Sequence, residues 1–228
     1  MRMNAIAVSL IGLVSTAALA AGEDRNVGQF DSIHVASGIR ATVSIGPRAP
    51  VHVEADRDVL PLVETRVEGG TLHVGFKPHT RLFNSGEVTV SAQTPELHGV
   101  AASSGAIVKA TLTKADESAL AASSGGEIRA RGIDARKLVA NASGGGVVDA
   151  AGRADAIDLH VSGGAHFAGS QLEARDADVE GSGGAQAELH ATGNVRGSLS
   201  GGSELQVRGG ARAAVATSGG SQVSVDDR

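Results

Sequence analysis

Asp158, His160, Asp178, Glu180 and Arg196 are the residues of this 228-residue chain whose types and spacing bring polar chemistry together. Asp158 and His160 are two positions apart, as are Asp178 and Glu180, and the second pair follows the first by 20 positions. On strands of adjacent layers, the four side chains form a rectangle ~4.8 Å between layers and ~6.8 Å along the strand. Carboxylate oxygens and one imidazole so arranged suit a weakly held cation or the hydroxyls of a sugar. The same carboxylates suit acid–base chemistry on a glycoside or uronide. Polysaccharide-active sites commonly add aromatic platforms, but Trp and Tyr are absent here and Phe167 is expected to point inward. The alternative is a solvated face on which Arg196 offsets Asp178.

The remaining chemistry-bearing residues are dispersed. The absence of Cys excludes disulfides, thiolate metal sites and Cys nucleophiles. His34, His52 and His98 are isolated, His73 and His79 are poorly spaced for one strand face, and no H-E-x-x-H motif occurs. No G-x-S-x-G elbow with partner His and Asp is visible. No catalytic residue, metal or cofactor is assigned on these grounds. Acidic and basic residues are interspersed at a net charge of −5, so there is no nucleic-acid footprint.

The element that must position these residues is a repeat. Ser, then Ser or Gly, then Gly, then a small residue recurs in seven blocks, at Ser103, Ser123, Ser143, Ser162, Ser182, Ser200 and Ser218, with spacings of 20, 20, 19, 20, 18 and 18. Five positions after each first Ser stand Val108, Ile128, Val148, Phe167, Ala187, Leu205 and Val223. Three positions before it stand Val100, Leu120, Ala140, Leu159, Val179, Gly197 and Val215. Odd positions are apolar or small and even ones mostly polar, the period of half-buried strands. Each repeat is expected to hold two short strands joined at the Ser-Gly-Gly corner, with a second turn at Gly132, Gly152, Gly169, Gly193 or Gly209. One such rung cannot bury its apolar side alone, whereas parallel stacking buries it against the next. The expected fold is all-β: a parallel β-helix, or solenoid, with rungs of 18–20 residues. The period is too short for propeller blades, and no block carries the Asp of the Ca²⁺-binding nonapeptide roll. No helix or recurring Lys follows the glycines, which disfavours a phosphate loop.

Residues 1–20 are expected to be a signal peptide: Arg2, an apolar run from Ala5 to Val14, then Ala18-Leu19-Ala20 as a small-x-small cleavage site. Residues 21–228 then form one β-helix domain, exported to the periplasm, the cell surface or the medium, with no later segment able to span a membrane as a helix. Within it, 98–228 carry the seven Ser-Gly-Gly repeats and 25–97 form irregular, longer N-terminal rungs or a cap. Alternation marks strands at Ile33-Val35, Ile39-Ile45, Val51-Glu54, Leu72-Phe76 and Val88-Ser91, with turns at Gly46-Pro47 and Gly69-Gly70. Asp56 to Val67 is the one plausible helix, capped by Asp56 or Asp58 and shortened by Pro61. A capping element is expected at this end, because open strand edges aggregate, and Asp226-Asp227-Arg228 is expected to blunt the other end.

Arg25-x-Val27-x-x-Phe30-x-x-Ile33, Val35-x-x-Gly38 and Val43-x-Ile45-Gly46 open a pattern continued by Val67-x-Gly69-Gly70-x-Leu72-x-Val74, Val88-x-Val90 and Leu97-x-x-Val100 before the Ser-Gly blocks. Over nearly the whole mature chain this resembles the auto-transporter adhesin head, or GIN, domain family. The resemblance implies an exported, right-handed β-helix of unsettled biochemistry and supplies no catalytic residues. Many of the blocks read Ser-Gly-Gly where family members often read Ser-Gly-Ser-Gly. The function expected is a non-enzymatic structural or adhesion-type binding module of the bacterial envelope, meeting a glycan, an envelope polymer or another envelope protein. The alternatives are a β-helical polysaccharide lyase or hydrolase, and an envelope sensor or assembly accessory protein.

Overall fold

The alternating apolar positions do close into a stacked core. The computed structural model describes residues 20–80 and 86–226, so the signal peptide expected over 1–20 lies outside it apart from Ala20. Among the described residues, eighteen strands form a single sheet. In chain order they are β1 (Ala20–Arg25), β2 (Ser32–Val35), β3 (Arg40–Ile45), β4 (Val51–Asp56), β5 (Val63–Glu68), β6 (Thr71–Phe76), β7 (Thr89–Thr94), β8 (Gly99–Ser103), β9 (Ile107–Thr111) and β10 (Ala115–Ser123). The series continues with β11 (Glu127–Ser143), β12 (Val147–Ser162), β13 (His166–Ser182), β14 (Gln186–Ala191), β15 (Asn194–Leu199), β16 (Glu204–Arg208), β17 (Arg212–Thr217) and β18 (Gln222–Asp226).

Pairing through the repeats is parallel, each strand bonding to its equivalent one rung away. The inward columns stay in register: Val108, Ile128, Val148, Phe167, Ala187 and Leu205 are all buried, as are Val100, Leu120, Ala140, Leu159 and Val179. The core is therefore one narrow apolar column built from Val, Leu, Ile and Ala, with Phe167 as its one large aromatic in the repeats. In the last rung the same columns surface, with Val215 and Val223 partly buried and Val225 exposed. Asp227 and Arg228, expected to blunt this end, lie outside the described residues.

Every corner places two successive residues at positive φ, the backbone pattern of a type I′ turn. The first is Ser104 (52°), Ser124 (50°) or Gly, and the second is always Gly, from Gly105 (76°) to Gly220 (79°). Corner amides also bond from rung to rung, as in Gly125 N–H to the Gly144 carbonyl at 3.1 Å.

The longer rungs hold three short segments rather than the two expected. In β11 the buried residues are Ile128 and Ala130, then Ile133 and Ala135, then Leu138, Ala140 and Ala142. The inward phase breaks at 131–132 and again at 136–137, so the chain bends at both places. The 18-residue rungs shorten this middle segment: Gly169 pairs with Leu189 but Glu173 with His190, so residues 170–172 have no counterpart in β14.

The N-terminal part corrects one expectation. Asp56 to Val67 is not an α-helix. A 3-10 turn spans Leu60–Leu62, with Pro61 inside it, and Val63–Glu68 is β5, antiparallel to β6 across Gly69-Gly70. Pro61 interrupts the helical ladder, and Val63 is buried while Thr65 and Val67 alternate with polar neighbours, so the segment gains more as a strand. The irregular N-terminal part holds a rung with a corner of its own: Ser37 (64°) and Gly38 (72°) make an eighth corner joining β2 and β3. That rung sits between others that follow it in sequence, since β2 pairs with both β6 and β8, and β3 with both β7 and β9. Antiparallel β4 on β7, β1 on β4 and β5 on β6 then close this end. Arg25 fastens β1 by donating to the carbonyls of Val63 (2.7 Å) and Leu60 (2.9 Å).

Candidate functional site

The strand leading into each corner turns its even positions to solvent, and parallel pairing stacks them in columns. Val139, Asp158, Asp178 and Arg196 form one column on β11, β12, β13 and β15. Asn141, His160, Glu180 and Ser198 form the next. The rectangle expected from sequence is thus assembled in space, with Asp158 opposite Asp178 and His160 opposite Glu180. His160 lies between the two carboxylates, Nδ1 3.5 Å from Asp158 and Nε2 3.3 Å from Glu180. Asp158 is also paired with Lys137, Nζ to Oδ2 3.1 Å. Arg196 faces Asp178 in register, yet no ion pair closes between them, so both keep their charges turned to the surface.

A third column carries the feature that sequence reasoning missed. Lys137 pairs with Ala156 and Ala156 with Asp176. The methyl of Ala156 between two long side chains leaves a shallow groove of about 440 Å³, which Asp158, Asp178, Asn194 and Arg196 also line. Asp176 is an ordered wall: it accepts from Arg175 Nε (2.9 Å) and from the Asn194 backbone and side-chain amides (both 3.0 Å). Those donors lower its pKa to about 2, Arg175 contributing most. The groove holds charges of both signs on four rungs, with donors and acceptors at rung spacing. His160 and Glu180 stand beside it, joined through Asp158. Extending the same register two residues upstream of Asp158 and Asp178 would have found Ala156 and Asp176.

Two histidines read as isolated are not. His34 and His73 lie on neighbouring strands, ring centroids 5.7 Å apart and edge-on, and His34 Nε2 is 3.1 Å from Ser103 Oγ. Burial, and to a lesser degree His73, push the His34 pKa down. His52 bridges Asp24 (2.6 Å) and Glu54 (3.3 Å), and bonds to those carboxylates push its pKa up. Among the described residues, no group of three or more His, Cys, Asp or Glu side chains is placed to hold a metal ion. No helix among them is long and apolar enough to cross a membrane.

Solved structures share the architecture. A "putative adhesin" from Bacteroides fragilis superposes with a TM-score of 0.82 at 16% identity, covering 92% of this chain and 97% of that one. A "putative lipid binding protein" from Parabacteroides distasonis gives 0.68 at 18% identity, covering 91% and 97%. A "putative adhesin" from Parabacteroides merdae gives 0.68 at 17%, covering 91% and 96%. At these identities the likeness is one of fold. No curated protein matches the chain. Residues 29–211, from the strand before the first corner to the penultimate rung, match the family described as "Putative auto-transporter adhesin, head GIN domain", and the chain belongs to that family.

Proposed function

We propose that the protein is an exported, non-enzymatic adhesion-type module of the bacterial envelope that binds a glycan along the Ala156 groove. The observation that carries this reading is the convergence of Lys137, Asp178, Asn194 and Arg196 on a groove open along the stack, where charged and amide groups recur at rung spacing. Sugar hydroxyls donate to Asp178 and accept from Arg196 and Asn194, while Ala156 gives the ring room to approach. Charge-assisted hydrogen bonds of this kind are the stronger ones. Among the described residues the groove stays open to solvent, which suits holding an extended polymer more than surrounding a reacting bond.

A glycan array probed with the purified protein tests the reading. Binding to a defined glycan class is expected to fall about tenfold or more with Arg196→Ala or Asp178→Ala, the loss of roughly one charge-assisted bond. Ala156→Arg, which fills the groove, is expected to abolish it. Glycan binding untouched by all three changes overturns the site. Turnover of a polysaccharide that is lost with Asp158→Ala or Glu180→Ala overturns the non-enzymatic reading.

A further inference from the structure

A second recess lies on the strand face that follows the corners. β3 and β9 pair from Arg40–Ile107 to Val43–Ala110 and then part. β3 continues through Ser44 and Ile45 against β7, whereas Thr111 of β9 pairs with Arg131 of β11. The parting opens a wedge of about 410 Å³ floored by buried Val43 and Ala110. Its polar lining is Thr42, Ser44, Lys109, Thr111, Arg129 and Arg131: three cations, three hydroxyls and no carboxylate. In a chain of net charge −5 this is a local inversion of sign.

Lys109 and Arg129 are in-register partners on adjacent strands. Like charges directly opposite destabilise a sheet. Other ladders are matched in sign on both sides: Asp134 takes Lys114 at 3.6 Å from one side and Arg153 at 3.4 Å from the other. The like-charged Asp158–Asp178 step is flanked by Lys137 and Arg196. Lys109 has no acidic partner among the described residues. The two arginines are held from outside the wedge, Arg129 Nε by Glu127 (2.7 Å) and Arg131 in a two-bond fork by Asp149 (2.9 and 2.7 Å). Two ordered guanidinium groups thus stand beside one unpaired ammonium.

We propose that this wedge binds an oxyanion carried on a glycan, a sulfate, phosphate or carboxylate, with Lys109 and Arg129 as its charge partners and Thr42, Ser44 and Thr111 as hydroxyl donors. On its other side Arg129 stands in register with Asp149, so the like-charge repulsion is confined to the Lys109–Arg129 step, and an anion between the two cations removes it. A flat anionic membrane fits less well, because the chain is net acidic outside this patch. The site is on a different face from the Ala156 groove and stands without it.

Calorimetric titration with a dextran sulfate oligosaccharide, against neutral dextran of the same length, tests the proposal. The full chain is expected to bind only the sulfated form, more weakly as salt rises. Lys109→Glu is expected to weaken binding by about tenfold or more while raising the melting temperature, because a carboxylate there faces Arg129. Arg212→Gln, in the last rung, serves as a control and leaves binding unchanged. Equal binding by the wild type and Lys109→Glu overturns the proposal, as does a loss of binding with Arg212→Gln as large as that with Lys109→Glu. Capture of the protein by phosphatidylglycerol vesicles but not by dextran sulfate overturns it in favour of a membrane.

Discussion

The Gly38 amide donates to the Ser104 carbonyl at 2.9 Å, joining the corner of the first rung to the first corner of the repeats although β4 to β7 intervene in sequence. This bond fixes where the solenoid resumes after its cap. The second residue of every corner is glycine, with φ between 72° (Gly38) and 79° (Gly220). An L side chain in that region costs about 1–2 kcal/mol. Gly38→Ala is therefore expected to destabilise by about that amount in urea denaturation. Ser104→Gly, at a first corner position with φ 52°, relieves strain but adds about 0.5–1 kcal/mol of unfolded-chain entropy. It is expected to remain within about 1 kcal/mol of wild type. A neutral Gly38→Ala contradicts the corner geometry.

Gly197 differs in kind. Its φ is +137°, and a Cβ there would lie 1.9 Å from the Val179 carbonyl oxygen of the preceding rung. Gly184 is also at positive φ (74°), but a Cβ meets nothing within 4 Å. Gly184→Ala therefore bears backbone strain alone, whereas Gly197→Ala adds an overlap with backbone that cannot rotate away. The expected costs are about 1–2 kcal/mol for Gly184→Ala and on the order of 3 kcal/mol or more for Gly197→Ala. Equal denaturation midpoints for the two variants contradict the close approach of rungs at Gly197.

His52 makes the attachment of β1 pH-dependent. Its bonds to Asp24 on β1 and Glu54 on β4 raise its pKa above 6.5, so the protonated form is favoured in the folded state. A raised folded pKa means the stabilisation is complete below the unfolded value and is lost as pH rises through the folded one. Hydrogen exchange of β1 amides, corrected for intrinsic rates, is expected to show greater protection at pH 5.5 than at pH 8.5. His52→Gln is expected to flatten that difference. Protection that rises with pH in the wild type contradicts the bridge.

Ser118 is buried at 1% exposure, and its Oγ has no hydrogen-bond partner. It stands in register with Leu138, in the inward column continued by Ile157 and Val195. An unsatisfied buried hydroxyl carries a desolvation cost of about 1–3 kcal/mol. Ser118→Ala removes it without adding volume and is expected to stabilise by about 1 kcal/mol, seen as a higher denaturation midpoint at unchanged slope. A lower midpoint would show that the hydroxyl is satisfied.

The repeats were legible because a period of two inside a period of 18–20 leaves few registers open, and the corner glycines mark the phase. The same register sets Asp158 opposite Asp178 and His160 opposite Glu180, as the strand pairing has them. What was not legible lies where the pattern is incomplete. Ala36 stands where the other corners have their first Ser, which concealed the Ser37-Gly38 rung. The Val63–Glu68 strand was concealed by Asp56 and Asp58, each a local signal of a helix start. Long-range pairing with β6 outweighed them. The Ala156 groove depends on a small residue between large ones in a column, and a search for chemistry-bearing side chains passes over alanine. The His34–His73 pair requires β2 and β6 to be neighbours across the cap, which spacing along the chain does not reveal.

Phe167 and Gly169 are coupled by volume. Phe167 is fully buried between Val148 and Ala187, and a Cβ on Gly169 would lie 2.5 Å from its Cε1. Glycine at 169 is what admits a ring into a column otherwise built of aliphatic residues. Phe167→Ala is expected to cost about 3–5 kcal/mol through lost burial and a residual cavity. Gly169→Ala forces the ring aside and is expected to cost about 1–3 kcal/mol. Phe167→Leu removes the atoms that clash, so Gly169→Ala should cost less in that background than in the wild type. Relief is partial, because the Glu188 carbonyl oxygen also lies 2.8 Å from the added Cβ. A double-mutant cycle measures this directly: a favourable coupling of about 0.5 kcal/mol or more is expected for side chains in contact, and strict additivity would place the ring elsewhere in the core.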